Sequence, residues 1–229
     1  RPVVDASKCL GCGACRAHCP VLHPASIPKA APAAFAVTAK DATLVQNSSS
    51  GGAFSLLAQE ILARGGAVFG AALDETQTVR HICVRDEKDL FKLRTSKYVQ
   101  SDLGDSLFAA KRLLDSGVTV LFCGTPCQIA GLYAALGRTY DSLFTQDIIC
   151  HGVPSPKVFA TYLHDCHGTR PRKTVNFRDK THGWNSFGMR VDDYQRVLRK
   201  DAYLASFLGN VCLRPCCYRC LYKTAARQS

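Results

Sequence analysis

Four cysteines near the start of the chain fall in the run Cys9-Leu-Gly-Cys12-Gly-Ala-Cys15-Arg-Ala-His-Cys19-Pro20. The spacing C-x2-C-x2-C-x3-C-P is that of bacterial ferredoxins, in which closely spaced thiolates wrap three corners of a 4Fe-4S cube. Gly11 and Gly13 permit the tight turns and leave backbone N–H groups for the cluster sulfides. Zinc sites typically draw their ligands as two separated pairs, so three thiols followed closely by a fourth and a Pro favour iron–sulfur over zinc. In two-cluster ferredoxins the fourth Cys of a run serves the other cluster, and no second complete run exists here. Cys19 therefore either closes its own cube or ligates a second one. His18, inside the loop, reads as a tuner of potential rather than a ligand.

A second group, Cys212, Cys216, Cys217 and Cys220, lies near the other end. Its Cys217/Cys220 pair has C-x-x-C ligand spacing, which serves an iron–sulfur centre, zinc or a redox disulfide. The preferred reading is a second metal centre with further ligands from the core. FCGTPCQ (122–128) and ICHG (149–152) supply candidates, because each sets a cysteine at the C-terminal end of a buried strand, the edge where open α/β sheets bind ligands. Thr125 as N-cap and Pro126 at the first helical position put Cys127 in the first turn of a helix, whose dipole favours a thiolate ligand or nucleophile. Cys127 and Cys150 are thus further metal candidates. Cys123 is evenly balanced between site and core, and Cys83 and Cys166 read as core. His151 and Cys127 are the catalytic candidates, His151 as a proton donor or cofactor contact, with a structural histidine as the competing reading.

NSSSGG (47–52) directly precedes a helix, so hydroxyls, glycines and unpaired N–H groups form a cradle for phosphate or pyrophosphate, with a simple helix cap as the alternative. LRTSKYVQSD (93–102) adds Arg94 and Lys97. Trp184 either stacks on a flat cofactor or packs.

These residues need a scaffold. Phe54, Leu57, Ala58, Ile61 and Leu62 recur with helical period before Gly65-Gly66. Residues 67–73 and 79–84 read as strands, and Leu103, Leu107, Ala110 and Leu114 as a helix ended by Gly117. Residues 118–122 are a strand, Ile129, Leu132, Tyr133 and Leu136 a helix closed by Gly137, and 146–150 a strand. Phe159, Tyr162, Leu163 and Cys166 give a further helix. Residues 176–191 could form a hairpin and 201–210 a last helix. The expectation is an α/β fold, a mostly parallel sheet with helices over about residues 45–170, plus a small N-terminal ferredoxin-like iron–sulfur module. The Pro/Ala run at 24–34 reads as a linker, dividing a module at 1–34 from a domain at 35–229.

The chain has 229 residues, 47% of them apolar, and no stretch approaches the roughly 18 to 20 apolar residues of a membrane span. No apolar signal-peptide core is visible, and a cytoplasmic location is expected. The cysteine count, 13, is odd, which suits reduced thiols and metal ligands better than a secreted disulfide scaffold. The formal charge of +11 attracts acidic partners, among them nucleic acid, an acidic redox protein or a phosphate-bearing cofactor.

Taken in order, the ferredoxin run, NSSSGG, LRTSKYVQSD, LFCGTPCQIAGL, ICHGVPSP, FRDKTHGW and LRPCCYRC resemble the coenzyme F420 hydrogenase/dehydrogenase beta-subunit family over nearly the whole chain. The resemblance implies an iron–sulfur flavoprotein oxidoreductase passing electrons between 4Fe-4S cluster, FAD and an organic substrate or deazaflavin-type coenzyme. It implies Ser48, Ser49, Ser50, Gly51, Gly52, Lys97, Gly124, Thr125 and Gln128 as flavin-side positions. It also implies Cys9, Cys12, Cys15 and Cys19 as cluster ligands, with Cys217 and Cys220 serving a further centre. Many relatives carry a second ferredoxin run where this chain has its Pro/Ala stretch, so one or two clusters are expected. Relatives also continue past the last cysteine pair, whereas this chain stops at Ser229, as a fragment would. Expected partners are an acidic ferredoxin or other subunits, and a small-molecule or coenzyme substrate. Two rival readings are a non-catalytic electron-transfer subunit and a zinc-bound nucleic-acid module. Nucleic acid is disfavoured, because the basic residues are scattered and match no RNA-binding or zinc-finger pattern.

Overall fold

Residues 3–23, 33–168, 174–198 and 200–223 are described by a computed structural model. Sequence alternation decides the main sheet. In β1 (Ala67–Leu73) successive side chains face opposite sides, and both sides are covered, so the strand is apolar throughout. It pairs antiparallel with β2 (Val79–Val84) and parallel with β3 (Val120–Gly124), which pairs parallel with β4 (Leu143–Asp147), giving the order β2-β1-β3-β4. On one face Ala67, Phe69, Val120 and Phe122 pack against Ala110, Leu114, Ile129, Leu132 and Leu136. The last five belong to two helices, Ser106–Asp115 and Pro126–Leu136. On the other face Val68, Ala72 and Leu121 pack against Ala58 and Ile61 of the helix Ala53–Ala63 and against Leu90 and Leu93.

The full helix order is α1 (Ala14–Ala17), α2 (Ala42–Gln46), α3 (Ala53–Ala63), α4 (Ser106–Asp115), α5 (Pro126–Leu136), α6 (Pro156–His167), α7 (Ala202–Leu208) and α8 (Pro215–Tyr218). A second, antiparallel sheet of β5 (Val175–Asp179), β6 (Gly188–Val191) and β7 (Tyr194–Val197) is packed by α6 and α7 through Phe159, Phe177, Met189, Tyr203 and Leu204. The α/β architecture, the hairpin after residue 175 and the helix after Asp201 follow the sequence reading.

Several elements differ from it. The third strand starts at Val120 rather than at residue 118, because Val118 completes the end of α4. Gly117, at φ 80°, donates to Leu114 O, and Val118 N donates to Leu113 O, the two bonds of a Schellman cap. Cys123 and Gly124 therefore lie within the strand. The fourth strand spans Leu143–Asp147 instead of 146–150, and the apolar Ile148 and Ile149 are exposed beyond its end. In α3 the buried stripe is Ser55, Ala58 and Ile61, and Leu57 is exposed. Cys83 and Cys166 are exposed rather than in the core, since alternate positions of β2 and the outer face of α6 point to solvent. The Pro/Ala linker lies outside the described residues except for 33–34. Among the described residues no helix is long and apolar enough to cross a membrane.

Candidate functional site

The ends of β3 and β4 meet the C-terminal segment at one place. Thr125 and Gln128 form a capping box at the start of α5, with Thr125 N donating to Gln128 Oε1 at 2.9 Å. The amide of Gln128 donates onward to Ser101 Oγ at 2.8 Å. This fixes the first turn of α5 and with it Cys127, whose sulfur is 3.2 Å from Thr125 Oγ1. After β4 the chain turns through Cys150 and His151 to Gly152, and Pro154 then bridges antiparallel to Leu213, while Arg214 N donates to Val153 O. That pairing brings α8, begun by Pro215, against the segment holding Cys150.

Gly152 is required for this approach. It has φ 135°, and a Cβ there would sit 2.7 Å from Leu213 Cδ1 and 3.2 Å from the Cβ of Cys217. The result is a cavity lined by Cys127, Cys150, Cys217 and Cys220, closed by Tyr222 and Gly152. Burial pushes the Cys150 thiol up to about 11, and the three other cavity thiols add to the shift. Burial likewise raises Cys217. Thiols that resist ionising in one another's company suit a cationic centre, which would supply the missing countercharge. Among the described residues no three His, Cys, Asp or Glu side chains are gathered closely enough to hold one ion. The four cysteines line one cavity instead. Cys216, next to Cys217 in sequence, is exposed, and neither it nor Cys212 lines the cavity.

The N-terminal run forms a separate loop. Gly11 and Gly13 hold φ of 65° and 72°, the left-handed turns that the spacing requires. Cys9, Cys12 and Cys15 are exposed and Cys19 is half-buried. The loop rests on the end of α5, where His18 Nδ1 lies 2.9 Å from Ala134 O, so His18 is a docking residue. Burial raises the Tyr222 phenol, and Cys127, Cys220 and Cys19 add to the shift.

Of the positions that the resemblance assigns to a flavin, the NSSSGG turn meets the 93–102 loop. Gly52 is the N-cap of α3, at φ 88°, and no side chain caps the helix. Ser49 Oγ accepts from Ser96 at 2.9 Å, and Arg94 donates to Ser55 Oγ at 3.1 Å, which ties the 93–102 loop to the cradle. Ser48 and Ser50 flank Ser49 in that turn, and Ser48 Oγ donates to Leu44 O at 2.7 Å. Gly51 is glycine for packing, since a Cβ there would lie 2.3 Å from Val37 O. Lys180, which the sequence alone does not single out, donates to Val45 O and Ser48 O and lies 5.0 Å from the Trp184 ring centre. Arg178 lies over the same ring at 5.4 Å, so Trp184 is held by cations.

Lys97 donates to Arg94 O at 2.6 Å and Lys92 O at 3.0 Å, and burial pulls its amine down to about 7. Burial raises the nearby Cys123 thiol to about 12, against the opposing charge of Lys97. Gly124, buried at the end of β3, faces Gln128 closely, with 3.1 Å from a notional Cβ to Oε1. His151 turns away from the cysteines: its Nε2 lies 3.1 Å from Phe207 O and its ring packs edge-on against Phe207.

A family model for the C-terminal part of the coenzyme F420 hydrogenase/dehydrogenase beta subunit matches residues 117–228, and a 4Fe-4S binding domain model matches residues 2–22. No curated protein matches the chain. A chain of the F420-reducing NiFe hydrogenase complex from Methanosarcina barkeri is similar in structure, with TM-score 0.57 and 17% identity. The match covers 82% of this chain and 66% of that one, so this chain spans just under two thirds of its structural relative.

Proposed function

Because the chain belongs to the coenzyme F420 hydrogenase/dehydrogenase beta-subunit family, we propose that it is an iron–sulfur flavoprotein oxidoreductase with two 4Fe-4S clusters and one FAD. In this reading Cys9, Cys12, Cys15 and Cys19 of the module at 1–34 hold the first cluster. Cys127, Cys150, Cys217 and Cys220 hold the second, within the α/β domain at 35–229. The observation that supports the reading is the link at the start of α5, which contributes Thr125 and Cys127 to the thiol cavity while the Gln128 amide donates to Ser101 of the 93–102 loop, the loop tied to the NSSSGG turn through Ser96 and Ser49. When bound, the flavin exchanges a pair of electrons with an organic substrate, and the clusters handle them singly.

The chain's own residues then orient and tune. The uncapped start of α3, with Arg94 and Lys180 beside it, suits the pyrophosphate of FAD. Lys97, with an amine near neutrality, holds or releases a proton on the flavin side. His151 orders the Cys150 loop through Phe207, and Cys127 acts as ligand rather than nucleophile. By analogy with the hydrogenase complex, electrons reach or leave through another subunit or an acidic ferredoxin, to which the +11 charge is complementary. A deazaflavin-type coenzyme is the organic substrate class.

Denaturing the anaerobically purified protein is expected to release FAD at about one per chain, on the same sample that contains iron. A colourless protein loaded with zinc and free of flavin would overturn this function and bring forward a zinc-bound nucleic-acid module.

A further inference from the structure

Tyr222 sits in a short 3-10 turn, Leu221–Lys223, and its ring helps close the cavity formed by Cys127, Cys150, Cys217 and Cys220. The side chain is 7% exposed, and its hydroxyl is buried with no hydrogen-bond partner among the described residues. Buried tyrosine hydroxyls nearly always find an acceptor, because an unpaired one has lost water without compensation. The cavity that Tyr222 lines is shared with the sulfurs of Cys127, Cys150, Cys217 and Cys220, and toward sulfur a hydroxyl acts as the donor.

We propose that Tyr222 tunes the second cluster: its hydroxyl donates a hydrogen bond to a sulfur of the 4Fe-4S centre held by Cys127, Cys150, Cys217 and Cys220. The proposal rests on the four-cysteine ligand set argued above. A donor to cluster sulfur offsets the extra negative charge of the reduced state and so raises the reduction potential. A shift in the potential of one cluster alone then sets the direction in which an electron runs between the two. Neither the ferredoxin run nor the C-x-x-C pair contains this residue.

The test is an EPR-monitored redox titration of wild type and Tyr222→Phe, with iron and acid-labile sulfide measured on both. The expected result is unchanged iron, a lower midpoint potential for one cluster and an unmoved potential for the other. A second protein carrying 3-fluorotyrosine at 222 keeps the ring and has a stronger donor, and its midpoint is expected to rise. It decides the matter even where the Phe variant loses iron. Unmoved midpoints in the fluorotyrosine protein, or equal shifts of both clusters, would overturn the role of Tyr222. Wild-type protein with only about four irons per chain would instead overturn the four-cysteine site beneath it.

Discussion

Cys150→Ser and Cys217→Ser are each expected to halve the iron of the purified chain, from roughly eight atoms to about four, and to remove one of two EPR signals after reduction. Cys216→Ser and Cys212→Ser are expected to leave both unchanged. The contrast between Cys216 and Cys217 is the sharper part, since the two are adjacent in sequence and only one lines the cavity. The cause is local. Pro215 begins α8, Cys217 N donates to Arg214 O at 2.8 Å, and the resulting turn directs Cys217 toward Gly152 and Cys150 while Cys216 faces solvent. A serine keeps the size of the side chain but is a poor ligand for iron, so the change tests ligation with little change in packing. Iron unchanged in Cys217→Ser and halved in Cys216→Ser would reverse the assignment.

Lys97→Met is expected to separate stability from function. Burial depresses the Lys97 amine from 10.5 to about 7, so between those values the unfolded chain holds a proton that the folded chain has released. Stability therefore rises with pH across that window. The cost of burying the charge is full below pH 7 and vanishes above 10.5. At pH 6 the variant is expected to be more stable by about 2–4 kcal/mol, the penalty being reduced by the lost bonds to Arg94 O and Lys92 O. The advantage is expected to narrow by roughly 1.4 kcal/mol per pH unit from pH 7 to 9. Anaerobic urea unfolding at pH 6, 7 and 9 measures both. The same substitution is expected to weaken flavin retention about tenfold or more, a difference of about 1.4 kcal/mol. A residue that costs stability and is needed for the cofactor is the pattern of a functional site. A variant with wild-type stability at every pH would contradict the depressed amine.

The scaffold is legible where burial writes a period into the sequence. Residues 67–73 and 79–84 and the helices around Leu114, Leu132 and Leu163 pack against neighbours on a fixed face, and their apolar spacing shows it. β4 lies upstream of its expected span because it is the edge strand of its sheet and only partly buried, while the apolar pair Ile148 and Ile149 that suggests a strand is exposed beyond it. β7 is four residues with two exposed positions, too short and polar to carry an alternation. In the site, residue type and spacing mark Cys127, Cys150, Cys217 and Cys220 as separate candidates. Their meeting depends on the Pro154–Leu213 bridge and on Gly152, contacts about sixty residues apart in sequence. Tyr222 lies in no motif, and Lys180 lies within FRDKTHGW with no role of its own readable there, so only their placement beside the cysteines and the NSSSGG turn gives them one.

Counting electrons tests the central claim most directly. Anaerobic titration of the purified chain with dithionite, followed by visible absorbance and EPR, is expected to consume about four electrons per chain, two by FAD and one by each of two clusters. Bleaching of flavin absorbance would accompany two distinct cluster signals. Uptake of two electrons or fewer, or cluster signals without any flavin change, would contradict an enzyme that joins flavin and clusters in one chain.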